Sequence, residues 1–243
     1  MNNSHISRSA ALVETLASEN LPHLQGMGRR ERRAAETRLR LFRCALQLFA
    51  EHGFPKVTVE DITEAADVGK GTFFNYFESK DHVLGVMAEI QHGKVREAMT
   101  LAESGKQTMY SVLRRLFFRI GEEPGRSPDL ARALISSFLA SAGVRELIQR
   151  NTSEGRKMLA KVVATGQKRG EIDSRLNKEK VAMHFQQAFL GTLLLWSLQG
   201  EPALPIWLEE SFRHFWRAIA IHPKMRSYGA CGGGRLSGYE QKR

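Results

Sequence analysis

The chain has 243 residues, 42% of them hydrophobic and 26% charged, a balance ordinary for a globular protein with an ample core. The longest apolar run, around residues 188–198, falls short of the roughly 18 residues that suggest a membrane span, and no secretory leader opens the chain, so an intracellular location and no membrane partner are expected. The formal net charge of +10 leans towards polyanions, and two cysteines, Cys44 and Cys231, give neither a disulfide framework nor a metal spacing.

Residues 1–35 mix polar residues with one short apolar patch and end in the cluster "GRRERR" (28–33), which reads as a flexible basic arm. From Glu36 the pattern sharpens: Phe42, Ala45, Leu46 and Phe49 recur at i, i+3, i+4, i+7, the apolar stripe of a helix. Gly53 supplies a C-terminal stop and Pro55 follows it; Cys44 falls within this stretch as a small core or near-core residue. In "VTVEDI", Thr58 is placed as an N-cap with Asp61 completing a capping box, and Val57 and Ile62 occupy the staple positions. A short helix then reaches Ala66, breaks near Asp67–Gly69, and a third begins at Lys70. After Ser79 a longer helix runs for several turns, and the remainder reads as helices separated by breaks at residues 121–128, near Gly143, at "KRGEIDS" and at "QGEPALP". No segment alternates with period two, so the expected class is all-α; the tail "YGACGGGRLSGYEQKR" is Gly-rich and expected to be disordered.

The segment "VGKGTFFNYFESK" (68–80) superficially resembles a phosphate loop. A Walker loop needs a preceding strand and Ser or Thr directly after its Lys, whereas here a capped helix precedes and Gly71 follows Lys70. Two short helices joined by a tight turn instead make a helix-turn-helix, whose second helix can enter a major groove. Phe73 and Phe77, at i and i+4, hold that helix inward, while Lys70, Gly71, Phe74 and Asn75 take a different arc that can meet bases or phosphates. Thr72, Tyr76 and Lys80 lie at its margins, where hydroxyls and an ammonium suit phosphate oxygens. With Thr58 they complete the candidate DNA-binding set.

On these motifs, residues 36–84, with "FAEHGF", "TVEDIT" and "GTFFNYFESK", closely resemble the DNA-binding domain of the TetR family of bacterial transcriptional regulators. Two positions depart from the family pattern: Gly69 stands where a Ser N-cap is common, and Phe74 where Tyr is frequent. The resemblance implies a homodimeric regulator of double-stranded operator DNA, with residues 85–222 as a helical effector-binding and dimerisation domain and 223–243 as a tail. It implies that the two late apolar helices pair across a two-fold axis, Gly191 allowing close approach and Phe212, Phe215, Trp216 and Ile219 supplying buried area. The alternative reading for the same helices is an internal core of one subunit. An effector pocket is expected among Phe117, Phe118, Leu134, Phe138, Met158, Val162 and Phe185, with His184 as its polar contact; few acidic residues lie nearby, which favours a neutral or anionic lipophilic effector over a cation.

No enzyme is expected: the chain has no H-E-x-x-H zinc helix, no G-x-S-x-G elbow and no Cys/His cluster, and His52, His82 and His92 fall on positions expected to be exposed. Neither cofactor nor metal is implied. The reading is a ligand-responsive repressor, with a TetR-like activator or a non-specific architectural DNA-binding protein as alternatives.

Overall fold

The structure of the protein, a computed structural model, describes residues 28–138 and 142–221. The Gly-rich tail, Cys231 and residues 1–27 of the expected arm lie outside the described residues. Among the described residues the secondary structure is helical except for one isolated antiparallel bridge between Ile172 and Ala220.

Helix α1 spans Arg29–His52, so it starts seven residues before the expected position. The Glu31 carboxylate accepts from the Gly28 N–H at 3.3 Å, and Ala34 and Ala35 then continue the helix cheaply. The cluster read as an arm is therefore the first turn and a half of this helix. Gly53, at φ 81°, ends it, and a 3-10 turn at Phe54–Lys56 leads into α2, Val59–Ala65. The capping box forms as its spacing requires: Asp61 N–H donates to Thr58 Oγ1 at 3.1 Å and Thr58 N–H to Asp61 Oδ2 at 2.7 Å. The Thr58 N–H, and with it the Thr58 hydroxyl, hold the Asp61 carboxyl below its ordinary pKa. Asp67 turns the chain at φ 50°, a left-handed conformation that Asp tolerates better than most side chains, and α3 follows at Lys70–Phe74.

Helix α4, Lys80–Ser104, runs unbroken through the expected domain boundary at residue 84. Helices α5 (Met109–Arg119), α6 (Pro128–Ser137), α7 (Ala142–Lys168), α8 (Lys178–Gln199) and α9 (Leu204–Ile219) complete the chain. Gly143, near which a break is expected, is itself helical.

Two apolar cores result. The first gathers Leu41, Phe42, Phe49, Phe54, Ile62, Phe73 and Phe77 and also takes in Leu130, Ala133 and Leu134 from α6 and Val144 from α7. The second is built around Phe117, whose ring lies 5.0, 5.7 and 5.6 Å from those of Phe185, Phe189 and Phe212. Lys94 is buried between α4 and the turn after α5, where it bonds Glu123 at 2.6 Å, Glu122 at 3.1 Å and the Arg119 carbonyl. A buried ammonium with three acceptors is satisfied, and truncating Lys94 would leave the nearly buried Glu123 carboxylate without its cation.

Candidate nucleic-acid interface and interior cavity

Helix α3 is short, and its two aromatic residues face opposite ways. Phe73 is fully buried, its ring 5.2 Å from that of Phe77, and this fixes the roll of the helix. The same roll leaves Phe74 half exposed and turns Lys70, Gly71 and Asn75 outward. A side chain added at Gly71 would meet open space within 4 Å, so this face is bare and can approach another molecule closely. Gly69 caps the helix without a side-chain bond, as expected where Ser is replaced. Thr58 is exposed, its oxygen accepting from Asp61 N–H. Thr72 and Tyr76 are partly buried at the margins, Tyr76 against the first core.

The two lysines differ. Lys70 pairs with Glu60 of α2 on the surface, and its hydrogen bond lowers the Glu60 carboxyl pKa. Both partners are well exposed, so the pair is weak and a base edge or phosphate can displace Glu60. Lys80 does not sit as expected for a phosphate contact. Its ammonium turns inward, donating to the Phe54 and Val57 carbonyls at 2.8 and 2.7 Å and lying 4.5 Å from the centre of the Phe54 ring. Burial lowers its pKa. Lys80 ties the start of α4 to the turn between α1 and α2.

A cavity of about 220 Å³ lies among α4 to α8. Of the residues expected to form a pocket, Leu134, Phe138 and Phe185 line it. Phe117 and Val162 lie in the core behind it, Phe118 and Met158 pack against that core, and His184 is exposed on α8. The four apolar ones fall outside it because an apolar residue at helical spacing shows that a face is covered and not what covers it. The polar lining comes instead from Gln91, His92, Asn151, Thr152 and Gln186. His92, expected on the surface, is partly buried and bonded at 2.9 Å to the Asn151 carbonyl.

The residues assigned to a dimer interface need a similar correction. Phe212, Phe215 and Ile219 are buried in the second core of their own subunit, and the Trp216 ring stacks edge-on to Tyr110 at 5.4 Å. The apolar surface of these helices is a different stripe: Leu190, Leu194, Leu195 and Leu198 of α8, beside Gly191, with Ile206 of α9. Leu190, Leu194 and Leu198 recur every fourth residue, a signal available in "FLGTLLLWSL". No described helix is long and apolar enough to cross a membrane.

Comparison with known proteins agrees with this geometry. The sequence model for bacterial regulatory proteins of the tetR family matches residues 41–87, which run from α1 through the first turns of α4. The HTH-type transcriptional regulator TcmR of Streptomyces glaucescens is 31% identical over 160 residues, covering 64% of this chain and 70% of that protein. Among solved structures, the fatty acid degradation regulator FadR from Bacillus halodurans superposes with a TM-score of 0.62 at 19% identity, over 74% of this chain and 94% of that one. Thermus thermophilus FadR, a TetR family transcriptional repressor solved with lauroyl-CoA, gives 0.55 at 26% identity, over 81% and 100%. With its helix-turn-helix, its helical second half and a relative matched over most of its length, the chain belongs to the tetR family of bacterial regulatory proteins and is a DNA-binding transcriptional regulator.

Proposed function

We propose that the protein is a cytoplasmic homodimeric repressor that binds a palindromic operator through two copies of α3 and leaves it when an effector fills the central cavity. The observation that carries the reading is helix α4. Its first residue, Lys80, is bonded to the helix-turn-helix, and further along Leu84, Met87, Ala88, Gln91 and His92 line the cavity. Lys80 and Gln91 are about 16 Å apart along the helix at 1.5 Å per residue, so a rotation of about 4° about the cavity moves the DNA-side end by about 1 Å. Two recognition helices must reach half-sites about 34–36 Å apart at once, and opposed shifts of that size in the two subunits spoil their register.

Gly191 and the bare leucines of α8, with Ile206, supply the apolar face for pairing. Lys70 and Asn75 are the base-reading groups, Lys to guanine and Asn to adenine, while Thr58, Thr72 and Tyr76 bond phosphates and Gly71 and Phe74 permit close contact. The exposed arginines at the start of α1, Arg29, Arg30 and Arg33, add charge for DNA flanking the site.

Selection of bound duplexes from a random library tests the reading. Recovery of a single palindrome whose half-sites are about one helical turn apart is expected, with the Lys70→Ala, Asn75→Ala double variant losing the preference while staying folded. Equal binding to every duplex would replace the repressor with an architectural DNA-binding protein.

A further inference from the structure

The polar groups of the cavity are unevenly matched. Gln91 donates from Nε2 to the Glu123 carboxylate at 3.2 Å, and Glu123 is itself held by Lys94. A carboxylate only accepts, so the amide must turn its nitrogen to Glu123 and its oxygen away. Gln91 Oε1 is consequently buried, and among the described residues it is the buried side-chain oxygen without a hydrogen-bond partner. The His92 Nε2–H is likewise committed, to the Asn151 carbonyl at 2.9 Å. Gln186 gives its Nε2–H to the Thr152 carbonyl at 2.9 Å, and the Thr152 hydroxyl gives its proton to the Ile148 carbonyl at 2.8 Å. Of these groups, Gln91 is the one whose oxygen is left buried without a partner.

The rest of the lining is aliphatic and aromatic, and it contains no Lys, Arg, Asp or Glu. An anionic head group placed there would find no Lys or Arg, and a quaternary ammonium no carboxylate in the lining; either would give up most of its hydration. We propose that the effector is an uncharged lipophilic molecule carrying a hydroxyl or N–H donor, an alcohol or phenol in chemical class, whose donor is received by Gln91 Oε1. Lys94 and Glu123 act at one remove by holding the Gln91 amide in its receiving orientation. The proposal rests on the reading of this cavity as the effector site.

A series sharing one tail separates the possibilities: decan-1-ol, decyl methyl ether, decanoate and decyltrimethylammonium, each titrated calorimetrically into the full chain below its micellar concentration. Decan-1-ol is expected to bind about tenfold more tightly than the ether, as one net hydrogen bond implies, and both ions more weakly than either. In Gln91→Leu the alcohol-to-ether ratio should fall to near one while the ether still binds. Ala88→Phe, which fills the cavity from α4, should abolish binding of the whole series. Decanoate or the ammonium binding tightest would overturn the proposal and leave the cavity as effector site, as would an unchanged ratio in a folded Gln91→Leu. If no member bound, or if binding survived Ala88→Phe, the reading of the cavity would fail, and the proposal with it.

Discussion

Leu195 and Leu198 are 51% and 64% exposed on α8, so together each chain leaves bare slightly more than one whole leucine side chain. If this stripe pairs across a two-fold axis, both copies are covered at once, and the dimer buries a little more than two. Full burial of a leucine is worth about 1.5–3 kcal/mol, so the two positions contribute about 3–7 kcal/mol to association. The Leu195→Glu, Leu198→Glu variant removes that term and places carboxylates against an apolar partner. Its dissociation constant should rise at least 100-fold, since about 1.4 kcal/mol is a factor of ten. The second core does not use either side chain, so helix content by circular dichroism should be unchanged. Ile221→Glu serves as a control, because Ile221 is comparably exposed but lies past the far end of α9. Sedimentation equilibrium at micromolar concentration reads the result directly: wild type and Ile221→Glu dimeric, the double variant monomeric and weak on operator DNA. A wild-type monomer, or a double variant that remains dimeric, would refute the assignment of this face.

Phe73→Ala should cost about 3–5 kcal/mol, read as a lowered denaturation midpoint, because the ring is fully buried against Phe77; a loss under about 1 kcal/mol would mean α3 is not held by this anchor. Lys80→Met should lower stability by about 1–3 kcal/mol through loss of the two carbonyl bonds and leave the salt dependence of DNA binding unchanged; a slope reduced by one unit per subunit would return Lys80 to the phosphate contacts. Asp61 has a folded pKa below its ordinary value of 3.8, so its contribution is fully present above that pH and lost as pH falls through the folded value. The difference in melting temperature between wild type and Asp61→Asn should accordingly be constant above about pH 5 and shrink below pH 4, and a constant difference down to pH 2.5 would show that the carboxylate is not the cap.

The parts legible in the sequence were those whose cause lies within a few residues. The capping box needs only Thr58 and Asp61, and the inward anchor of α3 needs only Phe73 and Phe77 one turn apart. What misled depends on partners distant in the chain. Lys80 has acceptors 26 and 23 residues earlier, and nothing local tells an ammonium pointing at solvent from one pointing at a carbonyl. His92 is turned inward by the Asn151 carbonyl, 59 residues on. The family resemblance assigns Phe212, Phe215 and Ile219 to an interface, yet an apolar stripe tells only that a face is covered; Phe212 and Phe215 pack against Phe117 and Phe185 of the same chain. Helix α8 is apolar nearly all round, a pattern that calls for cover on two sides, and its bare leucines mark the second. The start of α1 was missed because four arginines in six residues suggest solvent more loudly than Glu31 and two alanines suggest a helix.

The sharing of α6 and Val144 with the first core bears on how far the two halves of the chain can be exchanged. Leu130, Ala133, Leu134 and Val144 close that core from outside the segment that reads DNA, so residues 29–87 excised alone would expose the apolar surface those four cover. Grafting this segment onto the effector half of another family member would substitute a foreign α6 against Leu41, Phe42 and their neighbours. Close-packed interiors tolerate such mismatches poorly, each costing a kilocalorie or more. A hybrid regulator built from this protein should therefore take α6 and the start of α7 along with the helix-turn-helix, and the practical unit of recombination is discontinuous in the sequence.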